Sequence, residues 1–90
     1  MPRYVVERTF QQGLHIPIDA EGDEIRRAIV EHNSDEGVTW IHSYVAQDKN
    51  KSFCVYDAPT PEAIRRTSQR NDLPVDRITQ VMVLDPYFYL

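Results

Sequence analysis

Between residues 40 and 56 the chain places Trp40, His42 and Tyr44 at alternate positions, and then Cys54 and Tyr56 in the same way. An imidazole is a good ligand for nickel, copper or zinc and titrates near neutral pH. An ionised thiol is a soft ligand and a nucleophile, and a neighbouring His or Arg can favour that ionisation. Glu7, inside the apolar run "YVVERTF", is the third candidate. A carboxylate on a central strand needs a partner, and can serve as a metal ligand, a general base or half of a salt bridge to an arginine. Tyr44 and Tyr56 can donate hydrogen bonds to a ligand, and Trp40 can wall a pocket or pack in an interface. Each residue also has a plainer reading. His42 can be hydrogen-bonded within an interface, Cys54 can be a small buried hydrophobe, and the tyrosines can pack with their hydroxyl groups satisfied. His32 and His15 are weaker candidates. His32 falls near the end of a helical pattern, where the helix dipole accounts for it, and His15 sits in the loop "GLHIP".

Those residues must be positioned by short elements. "RYVVERTF" is β-branched and aromatic with polar interruptions, which predicts a strand. "QQGLHIPID" is a loop punctuated by Gly13 and Pro17. Over residues 20–33, Ile25, Ala28, Ile29 and His32 fall on one helical face, with acids early, and "SDEG" ends the helix. Strands over Val38–Ala46 and Ser52–Tyr56 flank the polar connection "QDKNK". Thr60 is a suitable N-cap for a second helix, with Pro61 at its first position and Glu62 in its first turn. "DRITQVMVLDP" gives a fourth strand, and "YFYL" an aromatic tail. The order β-α-β-β-α-β is the ferredoxin-like plan: one α+β domain over residues 1–90, with a four-stranded antiparallel sheet in order 4-1-3-2 and both helices on one face.

Ninety residues suit one domain with a modest core. A net charge of −4 without a basic stripe argues against nucleic acid as a partner. A single cysteine excludes an intrachain disulfide and fits a reducing compartment. No cysteine pair or HExxH pattern marks a zinc site. The start "MPRYVVERTF" lacks the apolar run of a signal peptide, and no run approaches the roughly 18 apolar residues of a membrane span. A soluble, cytoplasmic protein without membrane attachment is expected.

Strand alternation then divides the sheet. Apolarity sends Ile41 with Val45 and Phe53 with Val55 toward the helices. It leaves Trp40, His42, Tyr44, Cys54 and Tyr56 on the open face, with Val6 inward and Glu7 outward on the first strand. A one-residue bulge would reverse any of these assignments. So large an aromatic patch is rarely left bare on a soluble monomer. A homodimer packed sheet to sheet, with "DPYFYL" as a strap, would cover it and leave a chamber between the sheets.

The segments "YVVERTF", "EGVTWIHSYV", "KSFCVYDAPTPEAIRR" and "LPVDRITQV" resemble a small bacterial family of domains of unknown function. A described member of that family is a nickel-binding protein with a ferredoxin-like, dimeric fold. The resemblance runs from Pro2 to about Val83. It implies a dimeric α/β barrel and a nickel ion as cofactor. Relatives often carry a His at or near Thr67, whereas "EAIRRTSQRND" has none, so no ligand is carried over there. The reading that results is a small metal-binding protein, with His42, Glu7 and Cys54 as ligands to nickel, acting in sequestration or homeostasis. The alternative is a cofactor-free enzyme, monooxygenase- or isomerase-like, holding a small molecule in the inter-sheet chamber of the dimer, with Glu7 or His42 as base and Trp40, Tyr44 and Tyr56 around the substrate.

Overall fold

A computed structural model describes residues 1–14 and 20–87. Its elements run β1 (Arg3–Thr9), α1 (Ala20–Asp35), β2 (Thr39–Val45), β3 (Lys51–Asp57), α2 (Pro61–Arg70) and β4 (Arg77–Val81). The four strands form one antiparallel sheet in the order β2-β3-β1-β4. This is the ferredoxin-like architecture anticipated above, with both central strands, β1 and β3, in the expected place. His15, residues 16–19 after it and residues 88–90 of the aromatic tail lie outside the described residues. Among the described residues no helix is long and apolar enough to cross a membrane.

Local chemistry explains the helix boundaries. The Thr60 hydroxyl accepts from the Ala63 N–H, and Pro61 follows at the first helical position, where its missing N–H costs nothing. At the end of α1, Gly37 adopts φ +70°. Its N–H donates to the Ser34 carbonyl, and that of Val38 to the Asn33 carbonyl. This paired pattern satisfies the last carbonyls of the helix. Asp72 repeats it after α2 at φ 56°, with Leu73 N–H donating to the Ser68 carbonyl. The β2–β3 connection closes with Ala46 N–H donating to Lys51 O, and the loop after β1 is tied to it by Phe10 N–H to Asn50 O and Leu14 N–H to Lys49 O.

The two helices pack differently. In α2 the buried set is Ala63, Ile64, Thr67 and Ser68, one helical face made largely of small side chains. Small residues let the helix axis approach the sheet, and Ile64 fills the space above it. In α1 the expected face is weaker. Ile25, Ile29 and His32 are half-buried and Ala28 is exposed, while the buried residues are Gly22 and Asn33.

The core joins Tyr4 and Val6 of β1, Cys54 and Tyr56 of β3, Val38, Ala58, Ala63 and Ile64, with Trp40, Val75 and Ile78 packed against it. This corrects the expected faces. Cys54 and Tyr56 point toward the helices, and Phe53 and Val55 point to the open side. The β1–β3 register decides the matter, because Val6 pairs with Cys54 and Tyr4 with Tyr56, and paired residues share a face. In β2 the alternation is broken. Trp40 pairs with Tyr56 but His42 pairs with Val55, leaving Ile41 as an extra, exposed residue. The bulge turns Trp40 toward the helices and keeps His42 and Tyr44 on the open face. Truncating Ile64 to Ala is expected to cost about 2–5 kcal/mol in urea unfolding, with a smaller loss for Ile29→Ala. Equal losses would contradict the difference in packing between the helices.

Candidate functional site

The open face is ordered in rows set by the pairing register. Tyr44, Phe53, Glu7 and Arg77 form one row. His42, Val55, Val5 and Thr79 form the next, and Thr39, Asp57, Arg3 and Val81 the third. Its middle is aliphatic and aromatic: Val5, Phe53 and Val55 are half-buried although no helix covers them, and Tyr44 is 64% exposed.

His42 stands at the edge of this face, exposed, with its ring edge-on to Tyr44 (centroids 5.0 Å apart, planes at 83°). That contact holds the imidazole against Tyr44 on an exposed residue. Glu7 shares the face but not the immediate neighbourhood. Two strand spacings and two residues separate it from His42, roughly 12 Å between Cα atoms. Its carboxylate is 3.9 Å from Lys51 Nζ and half-buried. Lys51 in turn lies over the Phe53 ring at 5.8 Å. The other acid in these rows, Asp57, is committed to Arg3 by a two-pronged pair: Arg3 Nε donates to Asp57 Oδ1 at 2.8 Å and Nη2 to Oδ2 at 3.1 Å. Arg3 holds the Asp57 carboxyl below the usual carboxylate range, against a smaller opposing effect of desolvation, and its own proton is held more tightly in return.

Cys54, Tyr56 and Trp40 belong to the other side of the sheet. Cys54 is buried, its Sγ 3.6 Å from Ser52 Oγ, and it cannot join His42 around one ion, because adjacent strand positions point to opposite faces. The Trp40 indole N–H donates to Ser43 Oγ at 2.9 Å. Tyr56 lies beside Arg8 within the helix–sheet interior. Burial pushes its phenol up, and the Arg8 charge opposes that shift. His32 serves a structural purpose. Its Nδ1–H donates to Asn71 Oδ1 at 2.5 Å, and Asn71 Nδ2 donates to Asn33 Oδ1 at 3.4 Å, fastening the end of α1 to the cap of α2. Arg66 with Glu36 and Arg70 with Asp35 pair the same two helices at the surface. Among the described residues, no group of three His, Cys, Asp or Glu side chains gathers within one chain.

Arg8 is the residue that candidate selection by type passes over. It is 1% exposed and donates to the Pro74 carbonyl (Nη1, 2.7 Å), the Tyr56 hydroxyl (Nη2, 3.0 Å) and Ser68 Oγ (Nη2, 3.1 Å). A signal for it was present, since a strand that turns Tyr4 and Val6 inward must turn Arg8 inward too. Next to it lies a cavity of about 100 Å³, between β2, β3 and the half-buried side chains Phe10, Leu14, Ile29 and Leu73.

A four-stranded antiparallel sheet with two helices on one side defines the ferredoxin-like class of α+β proteins. Within that class, residues 4–81 match the family described as "Nickel responsive protein SCO4226-like", and the chain belongs to it. The solved structure of SCO4226 from Streptomyces coelicolor A3(2) shares the fold, with a TM-score of 0.71 and 18% identity over 92% of this chain and 99% of that one. No curated protein matches the sequence.

The Arg3–Asp57 pair yields a prediction. A carboxyl held low stabilises the fold above the ordinary carboxylate range, and that stabilisation fades as pH falls through its lowered folded value. Arg3→Met is therefore expected to raise the Asp57 side-chain pKa toward the usual carboxylate value, followed by its carboxyl carbon resonance in NMR. An unmoved titration would mean that Arg3 does not set it.

Proposed function

We propose that this chain is a small nickel-binding protein, acting in the cytoplasm in nickel sequestration or homeostasis, and that it binds the ion on the open face of its sheet. The observation that carries this reading is His42. It is an exposed imidazole, held in place by Tyr44, on the one sheet face that no helix covers, in a chain whose family is described as nickel responsive.

The donor chemistry fits in part. Imidazole and carboxylate both suit nickel, and the open face carries one of each in His42 and Glu7. Their separation within one chain keeps them from enclosing an ion by themselves. The same face gives a reason for a second copy. Val5, Phe53 and Val55 form an apolar strip bordered by Ile41 and Tyr44, which are 40% and 64% exposed, and a sheet-to-sheet homodimer would bury them. In such a pair His42 and Glu7 would be present twice on facing surfaces, and donors from both copies, with water, would complete the coordination. Bound nickel would supply a stable, non-covalent store of the ion.

Nickel added to tag-free protein in a calorimeter is expected to bind, and His42→Ala to weaken that binding at least tenfold, on the scale known for lost metal-site residues. Unchanged affinity in His42→Ala would remove His42 from the site and, with it, this reading.

A further inference from the structure

Arg8 presents an imbalance of charge inside the molecule. A guanidinium carries its positive charge throughout the physiological range, and a buried charge is costly unless a counter-charge accompanies it. Arg8 is 1% exposed, yet its acceptors are a carbonyl and two hydroxyl groups, all neutral. Among the described residues no carboxylate pairs with it. Its Nε–H is buried without any acceptor.

The groups around the neighbouring cavity share this bias. Ser43 Oγ already accepts from the Trp40 indole and so has its own proton left to give, while the Tyr56 hydroxyl accepts from Arg8 and has only the Cys54 thiol, a weak acceptor, for its proton, which a carboxylate would draw away. Ser52 adds a further hydroxyl to the same wall. The sheet side of the cavity is thus rich in hydrogen-bond donors and holds no acidic side chain. The opposite side is apolar, formed by Phe10, Leu14, Ile29 and Leu73. The volume, about 100 Å³, matches roughly three waters at ~30 Å³ each. Water could fill that space but would leave the charge uncompensated.

We infer that this cavity is a binding site for a small organic monocarboxylate with a short alkyl tail, its carboxylate taken by Arg8 together with the hydroxyl groups of Tyr56 and Ser43, and its tail lying against Ile29 and Leu73. Val45, 47% exposed, is the most exposed side chain of the lining. The site lies on the helix side of the sheet. It is independent of the open face that carries His42, so either can fail without the other.

The test uses the whole protein with ¹⁵N-labelled arginine and three probes: sodium butyrate, butan-1-ol and sodium nitrate. Butyrate is expected to move the Arg8 Nε–H resonance and to raise Tm by about 6–10 °C at ten times its Kd. Butan-1-ol lacks the charge, and nitrate lacks the tail, so both should give clearly smaller responses. Ile29→Trp, which fills the cavity and leaves every Arg8 partner in place, should abolish the butyrate response while its own Arg8 Nε–H signal reports that it is folded. A resonance unmoved by butyrate overturns the proposal. An equal response to nitrate or to butan-1-ol overturns it too, as does a full response retained in Ile29→Trp. Arg8→Met should also lose the response, and if it fails to fold, Ile29→Trp still decides.

Discussion

Ile41 has no partner across the β2–β3 ladder. Trp40 pairs with Tyr56 and His42 with Val55, so one residue is inserted between two ladder positions. Regular alternation would have held Trp40, His42 and Tyr44 on one side of the strand. With the insertion, Trp40, Ser43 and Val45 line the space under the helices, and His42 and Tyr44 stand on the open side. Both the proposed nickel-binding face and the cavity beside Arg8 depend on that step. Without it, either the indole would leave the interior or the imidazole would enter it. The neighbouring strand adds no such break, so Ser52, Cys54 and Tyr56 follow β1 without a shift and build the polar wall beside Arg8.

The interior that results is unusual for so small a domain. Its central strands contribute Tyr4, Val6 and Arg8 from β1 and Ser52, Cys54 and Tyr56 from β3, a mixture in which aliphatic side chains are a minority. Two of the three aliphatic residues of those strands, Val5 and Val55, face outward with Phe53. Aliphatic residues usually seek the interior because burial of apolar surface is the main favourable contribution to folding. Their outward placement here becomes economical if another surface covers them, as the proposed homodimer would. The polar interior is held by hydrogen bonds instead, with Arg8 linking β1 to Tyr56 of β3, Ser68 of α2 and the Pro74 carbonyl ahead of β4.

Much of the architecture was readable in the chain. Thr60, Pro61 and Glu62 marked the start of α2, "SDEG" the end of α1, and the order of strand-like and helix-like segments gave the ferredoxin-like topology with its central strands. On β1, Val6 inward and Glu7 outward also stand as expected. The site was legible only in part. His42 and Tyr44 occupy the face assigned to them, but Trp40, Cys54 and Tyr56 do not. The error has a physical source: ranking strand faces by apolarity assumes that the more aliphatic face is buried, and in β3 the reverse holds. Following the register outward from Val6, and with it Arg8, would have sent Cys54 and Tyr56 inward. The bulge at Ile41 leaves no local trace in "TWIHSYV", because β-branched and aromatic residues continue through it.

The sheet separates His42 from Cys54, so nickel bound on the open face as proposed would meet imidazole and oxygen donors while the thiol stays inside. The absorption spectrum of the tag-free protein, recorded once calorimetry has established nickel loading, addresses that separation directly. Nickel held by His42 and oxygen donors should add only weak bands in the visible region. An intense near-ultraviolet band of thiolate-to-nickel charge transfer, lost on replacing Cys54 with Ser, would show that the cysteine reaches the ion and would contradict the division of the two faces.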